Sequence, residues 1–283
     1  QRELSYFIFY LLMILNMASS HFKGIKAVIL DMDGVIYRGR TLIAGADKAI
    51  AELKKRGIKI AYLTNACTRS RKGRVEKLAS LGIDSKEIEF FTTSYATAKH
   101  ISENYPKSKW NVFYIGGDGV GEELAKAGIS VVDTNKADIV VVGLDSKMTY
   151  EKMSNAFRAI IRGADFIATN TDATFPVEDG LLPGAGALVE FLSFASGTPP
   201  KIIIGKPNTH MLEMILDELG VGKDEVILVG DRLDSDIAVA KKAGVRSVLV
   251  LSGIAKKEDV DKLKKNEKPD LVIGSVCELP ELL

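Results

Sequence analysis

The chain has 283 residues, of which 46% are hydrophobic and 27% are charged, the composition of a soluble globular protein with one large or two moderate domains. Its formal net charge of +1 favours neither a nucleic-acid partner nor a general role at a membrane surface. Two cysteines, Cys67 and Cys277, are too few for a disulfide framework and indicate a reducing compartment, so we expect a cytoplasmic protein.

The first twenty residues do not fit the pattern of the rest. Residues 6–15 form an unbroken apolar run. As a helix this run would span only about 15 Å, against a hydrocarbon core of roughly 30 Å. We expect residues 1–20 to be an extension, with Met17 near the natural start; a signal peptide is the alternative.

A short apolar strand, Ala27–Leu30, ends in two carboxylates, Asp31 and Asp33, and Gly34 then allows the chain to turn. An apolar run without polar alternation is typical of a strand covered on both faces in a parallel sheet. Because acids cannot continue a buried strand, we expect them at its carboxyl end, where open α/β sheets bind ligands. A calcium loop is excluded, since its twelfth position is Leu42.

Apolar runs and amphipathic helical patterns alternate along the rest of the chain. The predicted strands are residues 58–63, 112–115, 139–142, 166–168, 202–204, 226–229, 248–251 and 271–273. This β-α-β-α order predicts an α/β fold with a parallel sheet. Residues 170–186 are predicted to form one long loop, and loops of this length are usually either functional or disordered.

Polar side chains stand at four predicted strand ends. They are Asp31 and Asp33 after the first strand, Thr64 and Asn65 after the second, Lys206 after residues 202–204, and Asp231, Asp234 and Asp236 after residues 226–229. The carboxyl ends of parallel strands meet at one edge of a sheet, so these side chains predict a phosphoryl-transfer site. Because the acids would repel one another, a divalent cation is required, and oxygen-only ligands favour Mg²⁺.

Chemistry assigns roles within such a site. An aspartate carboxylate can attack phosphorus and form an aspartyl-phosphate, and a second acid two residues on can protonate the leaving oxygen and later activate water. The negative charge of the transition state would be stabilised by the metal, Lys206, Thr64 and backbone N–H groups.

The motifs DMDGV, TN, GKP and GDRLDSDI, in this order, resemble the four motifs of the haloacid dehalogenase (HAD) superfamily of phosphatases. The insertion with ATNTD and LLPGAG resembles the subfamily with a class IIA cap, which includes p-nitrophenyl, nucleotide, pyridoxal-phosphate and sugar-phosphate phosphatases. The resemblance implies a Rossmann-like, doubly wound core formed by residues 21–82 and 198–283. It also implies an inserted α/β cap formed by residues 83–197.

The resemblance also implies roles for individual residues. Asp31 would be the nucleophile and a metal ligand, and Asp33 the general acid and base, whose backbone carbonyl also binds Mg²⁺. Asp231 would be a further metal ligand, supported by Asp236 and Gly34. The residues implied in phosphate or substrate binding are Thr64, Asn65, Lys206, Asn170, Thr171 and Asp172.

The chain departs from the family pattern at Ala66, where relatives commonly carry asparagine; the departure concerns a cap contact or polar tether rather than the chemistry. Asp234 is interpreted as a solvated loop residue. Cys67 is interpreted as a structural thiol, because no histidine lies near it in the sequence. The histidines, His21, His100 and His210, occur singly, and we expect His210 on a helix surface.

The predicted function is Mg²⁺-dependent hydrolysis of a small-molecule phosphate ester, without a nucleic-acid or membrane partner. Relatives often associate through their caps, so a homodimer is compatible with the resemblance. Two other HAD chemistries stay open, a phosphomutase and a phosphonatase, as does a non-catalytic phosphometabolite-binding protein. A dehalogenase is disfavoured, because those enzymes lack the acid at the position of Asp33 and need no metal.

Overall fold

The computed structural model describes residues 22–177 and 180–283. The predictions for residues 1–20, Met17 and His21 lie outside these ranges. Within them, none of the helices combines the length and the apolar character needed to cross a membrane.

Strands and helices alternate along the chain. In chain order, the strands are β1 (Ala27–Leu30), β2 (Tyr37–Arg38), β3 (Thr41–Leu42), β4 (Lys59–Thr64), β5 (Phe90–Thr92), β6 (Asn111–Ile115), β7 (Ser130–Val131), β8 (Ile139–Val142), β9 (Asp165–Ala168), β10 (Thr174–Val177), β11 (Gly180–Pro183), β12 (Ile202–Ile203), β13 (Val226–Gly230), β14 (Arg246–Val250) and β15 (Leu271–Ile273). The α-helices are α1 (Ala46–Lys55), α2 (Arg71–Ser80), α3 (Thr93–Asn104), α4 (Asp118–Lys126), α5 (Tyr150–Ile161), α6 (Ala185–Ser196), α7 (His210–Leu219), α8 (Ala238–Ala243), α9 (Lys257–Asp261) and α10 (Leu279–Leu282).

The chain forms two compact units. The first contains residues 22–61 and Ile215–Leu283, and the second contains Tyr62–Met214. The predicted cap, residues 83–197, falls within the second unit, and its boundaries stay a prediction.

The sheet of the first unit has the strand order β15-β14-β13-β1, with every neighbouring pair parallel. Every residue of β1 and every apolar residue of β13 is fully buried, as the unbroken apolar runs predict. Strand β4 begins beside β1, where the N–H of Lys59 donates to the carbonyl of Lys26 over 2.9 Å. The carboxyl ends of β1 and β13 therefore lie side by side.

The second unit contains a five-stranded parallel sheet with the strand order β12-β9-β8-β6-β7. Its core forms where helices α5 and α6 pack apolar side chains such as Met153, Ile160 and Leu192 against Val140 and Phe166. The second half of β4, which belongs to this unit, pairs in parallel with β5. The predicted α/β fold with parallel sheets is confirmed.

Two local predictions were wrong. The long loop predicted at residues 170–186 contains an antiparallel hairpin, in which Thr174 of β10 pairs with Pro183 of β11. Proline is tolerated there because a two-stranded ribbon leaves N–H positions on its outer edges unpaired. Strand β5 was missed, since its three residues, FFT, are too few to show a periodicity.

Candidate active site

The predicted acids gather in the first unit at the ends of β1 and β13. One carboxylate oxygen from each of Asp31, Asp231 and Asp236 lies within 4.8 Å of the others. Asp31 directly follows β1 and is 8% exposed, whereas Asp231 directly follows β13 and is 2% exposed. Asp33 lies outside this group, with an exposed side chain. We call Asp31, Asp231 and Asp236 the acid cluster.

Backbone N–H groups hold the acid cluster in place. A single turn of π-helix, Leu233–Ile237, carries Asp236, whose Oδ2 accepts hydrogen bonds from the N–H groups of Asp231 (3.2 Å) and Arg232 (3.0 Å). Asp231 Oδ2 accepts a hydrogen bond from the N–H of Ile254 over 2.8 Å. Such hydrogen bonds from N–H groups fix the orientation of a carboxylate.

Three glycines leave room for these carboxyl groups. A Cβ at Gly34 would lie 2.6 Å from Asp231 Cγ, and a Cβ at Gly230 would lie 2.5 Å from Asp236 Oδ2. A Cβ at Gly253 would also overlap the carboxyl group of Asp231. Gly34 additionally has a φ of 83°, which favours glycine. Larger residues at these positions are incompatible with the observed placement of the acids.

The donor set of the acid cluster fits a hard divalent cation. In the described ranges it is the one group of three or more His, Cys, Asp or Glu side chains arranged to hold a metal ion. Its donors are all carboxylate oxygens, which Mg²⁺ and Ca²⁺ prefer to nitrogen or sulfur ligands. Three carboxylates this close repel one another unless a cation or a proton intervenes. The residues present therefore fit Mg²⁺.

In the second unit, Asn65, which follows β4, forms hydrogen bonds with the backbone of Lys206. Asn65 Nδ2 donates to the carbonyl of Lys206 over 3.0 Å, and Asn65 Oδ1 accepts from the N–H of Lys206 over 2.8 Å. Lys206 is 3% exposed, and its Nζ donates to the carbonyl of Leu63 over 3.5 Å. Thr64 Oγ1 accepts from the N–H of Ala66 over 3.2 Å.

The loop after β9 joins this group. Asn170 Nδ2 donates to the carbonyl of Asn65 over 2.8 Å, and Asn170 Oδ1 accepts from the N–H of Asp172 over 3.0 Å. Asn65 Nδ2 also lies 3.2 Å and 3.1 Å from the two carboxylate oxygens of Asp172. Thr171 is half-buried, and its carbonyl faces Gly186, where a Cβ would lie 2.5 Å away. We call Asn65, Asn170, Asp172 and Lys206 the amide cluster.

Comparison with known proteins decides the family. A model of the haloacid dehalogenase-like hydrolases matches residues 28–130, and a HAD-hydrolase-like model matches residues 203–279. The chain is 40% identical over 238 residues to an acid sugar phosphatase of Staphylococcus epidermidis, covering 84% of this chain and 91% of that protein. The chain belongs to the haloacid dehalogenase-like hydrolase family.

Solved structures of HAD hydrolases resemble the whole fold. The p-nitrophenyl phosphatase from Archaeoglobus fulgidus has a TM-score of 0.85 and 38% identity, and the match covers 91% of this chain and 99% of that one. The 4-nitrophenylphosphatase from Thermotoga maritima has a TM-score of 0.87 and 31% identity, covering 92% and 98% of the two chains. The predicted enzyme class, a HAD-type phosphatase, is confirmed.

Sequence reasoning missed the loop that follows β14 in this HAD phosphatase. In that loop, Ser252 Oγ donates to the carbonyl of Gly34 over 2.8 Å, Gly253 approaches Asp231, and Ile254 supplies the N–H described above. The signal was available, because a glycine in the loop just after a parallel strand, here three residues beyond its end, favours a close backbone approach.

Cys67 is a buried thiol, as the sequence interpretation holds. Burial raises its pKa, although hydrogen bonds to the carbonyl of Leu144 and to the Thr169 side chain oppose this shift. Cys67 and Cys277 are both free thiols. A neutral, inaccessible thiol is not a nucleophile, so Cys67 is excluded from the chemistry.

His100 and His210, which stand singly in the sequence, lie against each other in the fold, with His210 at the start of α7. Their ring centroids are 5.2 Å apart with an interplanar angle of 77°, and both side chains are half-buried. Burial lowers the pKa of both imidazoles, and the positive charge that His210 carries when protonated lowers the pKa of His100 further. The contact joins α3 to the start of α7 across more than a hundred residues of sequence, which no local pattern reveals.

Proposed function

We propose that this chain is a Mg²⁺-dependent phosphomonoester hydrolase that acts on a small phosphorylated metabolite through an aspartyl-phosphate intermediate. The observation that carries the proposal is the acid cluster, whose three carboxylates lie within 4.8 Å of one another beyond two adjacent parallel strands. Its oxygen-only donors and its position at the strand ends fit metal-dependent phosphoryl transfer better than dehalogenation, which needs no metal.

In the proposed reaction, a carboxylate oxygen of Asp31 attacks phosphorus, and the ester oxygen departs. Asp33 protonates that oxygen, then takes a proton from the water that hydrolyses the aspartyl-phosphate, and inorganic phosphate is released. The side chain of Asp33 is exposed and outside the acid cluster, which suits a group that exchanges protons with leaving group and water.

Asp31, Asp231 and the backbone carbonyl of Asp33 are proposed to hold Mg²⁺, with Asp236 and Gly34 in support. When bound, Mg²⁺ would supply positive charge to the phosphoryl oxygens. Asp236 supports Asp231 through its hydrogen bond to the Asp231 N–H, and Gly34 leaves room for the Asp231 carboxyl group.

The predicted site residues of the second unit are proposed to bind the phosphoryl group and the leaving group of the substrate. Thr64, Asn65 and Lys206 would act on the phosphoryl group, where the lysine ammonium offsets negative charge. Asn170, Thr171 and Asp172 would contact the leaving group. Each of these roles is implied by the family motifs TN, GKP and ATNTD.

For the substrate class, we propose sugar phosphates. The support is the similarity to acid sugar phosphatases of Staphylococcus epidermidis and Staphylococcus aureus, at 40% and 39% identity. The two free cysteines favour a cytoplasmic location. A homodimer formed through the cap is part of the same proposal.

The test is a phosphatase assay on p-nitrophenyl phosphate and a panel of sugar phosphates, with Mg²⁺, with EDTA, and with Mg²⁺ restored. We expect turnover that EDTA abolishes and Mg²⁺ restores, and its loss in the Asp31→Asn variant with an unchanged circular dichroism spectrum. Near-normal turnover by Asp31→Asn would overturn the nucleophile assignment. An isomerised sugar phosphate in place of free phosphate would indicate a mutase, and borohydride trapping with a phosphonate would indicate a phosphonatase.

A further inference from the structure

The side-chain carboxamide of Asn65 forms two hydrogen bonds with the backbone of Lys206. It accepts from the Lys206 N–H over 2.8 Å and donates to the Lys206 carbonyl over 3.0 Å. The two residues are 141 positions apart in sequence, so the pairing ties two distant loops together. Asn65 is 8% exposed and Lys206 is 3% exposed, which leaves little access for water to replace these bonds.

The Asn65 side of the pairing is itself fixed. The carbonyl of Asn65 accepts from Asn170 Nδ2 over 2.8 Å and from Thr93 Oγ1 over 2.9 Å. At Gly205, a Cβ would lie 2.7 Å from Asn65 Oδ1, so the residue before Lys206 must be glycine for the amide to reach the peptide. Backbone and side chain of Asn65 are thus both held by the protein.

The carboxamide of Asn65 is also fully used as a donor. An amide has two N–H donors, and Asn65 Nδ2 has the Lys206 carbonyl on one side and the Asp172 carboxylate, at 3.2 Å and 3.1 Å, on the other. The family motif implies that Asn65 binds phosphate. Its side-chain donors are instead directed at protein acceptors.

We propose that Asn65 is a positioning residue that acts on the phosphoryl group through Lys206. The lysine side chain has four rotatable bonds, so its ammonium can be held to a fraction of an ångström only if its Cα is fixed first. The carboxamide of Asn65 fixes both peptide groups flanking that Cα. This inference rests on one part of the proposed function, the binding of phosphate by Lys206, and not on the hydrolysis itself.

The test is a double-mutant cycle on phosphate binding, with Asn65→Ala, Lys206→Met and the double variant. The affinity for inorganic phosphate is measured by calorimetry in the presence of Mg²⁺. We expect Asn65→Ala to weaken binding roughly tenfold and Lys206→Met to weaken it by about 10- to 100-fold, as for loss of a charged hydrogen bond. The double variant should bind within about twofold of Lys206→Met, since Asn65 acts only through the lysine. Losses that multiply in the double variant would overturn the proposal.

The isosteric Asn65→Asp provides a second variant that retains volume and the acceptor for the Lys206 N–H. It loses the donor to the Lys206 carbonyl and adds a negative charge, so we expect it to weaken phosphate binding at least as much as Asn65→Ala, and an affinity equal to that of the parent protein would contradict the positioning role. In turnover of p-nitrophenyl phosphate, we expect kcat to fall about 10- to 100-fold in Asn65→Ala, the loss typical of a misplaced catalytic group. A change confined to KM would contradict the positioning role.

Asn111→Ala is the matched control. Asn111 Nδ2 donates to Asp138 Oδ2 over 2.8 Å, which is also an asparagine–aspartate contact in the second unit, but at the amino end of β6. It should leave phosphate affinity and kcat unchanged, and a loss equal to that of Asn65→Ala would contradict the inference. The phosphate cycle does not require turnover. Phosphate binding that shows the expected coupling, without hydrolysis, would refute the proposed function and leave this inference standing.

Discussion

The acid cluster of the first unit and the amide cluster of the second are built in opposite ways. In the acid cluster, backbone N–H groups hold side chains: those of Asp231, Arg232 and Ile254 donate to carboxylate oxygens. In the amide cluster, side chains hold the backbone: Asn65 pairs with the peptide groups of Lys206. The first arrangement fixes the orientation of negatively charged groups, and the second fixes the position of a residue that carries positive charge.

The two constructions differ in what they tolerate. Carboxylates supported by backbone need space beside them, which glycines provide, so added volume should damage the acid cluster most. A backbone held by buried amides needs every hydrogen-bond partner, because an unsatisfied buried group costs about 1–3 kcal/mol. The amide cluster should therefore be most sensitive to lost partners.

The largest effect is expected for Gly253→Ala in the acid cluster. Its added methyl group would overlap the carboxyl group of Asp231, so either that carboxylate or the loop must move. A misplacement of about 1 Å in an active site can reduce turnover by roughly 10²-fold, and we expect a loss of at least that size in kcat/KM. The Mg²⁺ concentration for half-maximal activity should rise in the same titration.

Gly222→Ala is the control for added volume in the first unit. A Cβ at Gly222 would lie 3.7 Å from Glu225, an ordinary contact, and its φ of −77° suits any residue. Activity within twofold of the parent protein is expected. If Gly253→Ala behaved like Gly222→Ala, the space beside Asp231 would be irrelevant to metal-dependent turnover.

A smaller effect is expected for Asp236→Asn. The carboxylate of Asp236 is fully buried and accepts from the N–H groups of Asp231 and Arg232. Replacing it by an amide removes one negative charge but keeps an oxygen that can accept from both N–H groups, so the two hydrogen bonds to the turn that carries Asp231 should weaken. Changes to residues that orient metal ligands typically cost about 10- to 100-fold in metal affinity or activity, and kcat/KM measured against Mg²⁺ concentration reports both.

Asp234→Asn is the matched control on the same turn. Asp234 pairs with Arg232 over 2.8 Å, but its side chain is 70% exposed, and surface ion pairs contribute little. We expect no change in activity beyond twofold. Equal losses for the two substitutions would mean that net charge near the site, and not the support of Asp231, governs the reaction.

For the amide cluster, Asn170→Ala should lower the free energy of unfolding. It removes the donor to the Asn65 carbonyl, a buried hydrogen bond, and the acceptor for the Asp172 N–H, a partly buried one. We expect a loss of about 1–3 kcal/mol, measured by urea denaturation. Asn208→Ala removes one bond of 3.3 Å from a half-buried side chain, and should cost less than about 1 kcal/mol. A larger loss for Asn208→Ala would contradict this ranking.

The sequence was sufficient to predict β1, β13 and the acids beyond them, because an unbroken apolar run that ends in aspartates leaves few alternatives. The partners of those acids were not predictable. Gly253 is separated from Asp231 by a helix and a strand, and its contact arises from the pairing of β13 with β14. Likewise, nothing local indicates that the Asn65 amide meets the Lys206 peptide. Strand ends can be read from periodicity, whereas contacts between loops depend on the tertiary arrangement.

The smallest predicted effect concerns pH. The groups of the two units that we compare lose their stabilising contribution in different pH ranges. In the second unit, His100 and His210 face each other, with Glu103 and Glu213 raising and Lys201 lowering the pKa of nearby imidazole. Burial is the largest influence and lowers the pKa of both rings. An unfolded histidine binds a proton below about pH 6.5, before the folded one does, so the unfolded state gains protons first.

The contribution of the two neutral imidazoles to the free energy of unfolding is thus fully present above about pH 6.5. It is lost as the pH falls through the pKa values of the folded protein. In the first unit, Asp270 titrates in a lower window. Burial raises the pKa of its carboxyl, but hydrogen bonds from Lys241 and Ser247 outweigh burial and lower it overall. Its contribution is lost only as the pH falls below the ordinary aspartate range, near 4.

Urea denaturation between pH 8 and pH 3 can therefore resolve the two contributions. The free energy of unfolding should fall by at most about 1.4 kcal/mol per pH unit for each histidine that titrates. The double variant His100→Asn/His210→Gln should flatten the curve just below about pH 6.5, whereas Asp270→Asn should flatten it only below about pH 4. An unchanged slope between about pH 6.5 and pH 4 in the histidine variant would contradict the assignment of this pH dependence to His100 and His210. A flatter slope in the histidine variant would assign the loss of stability just below about pH 6.5 to the second unit, and not to the carboxylates of the acid cluster.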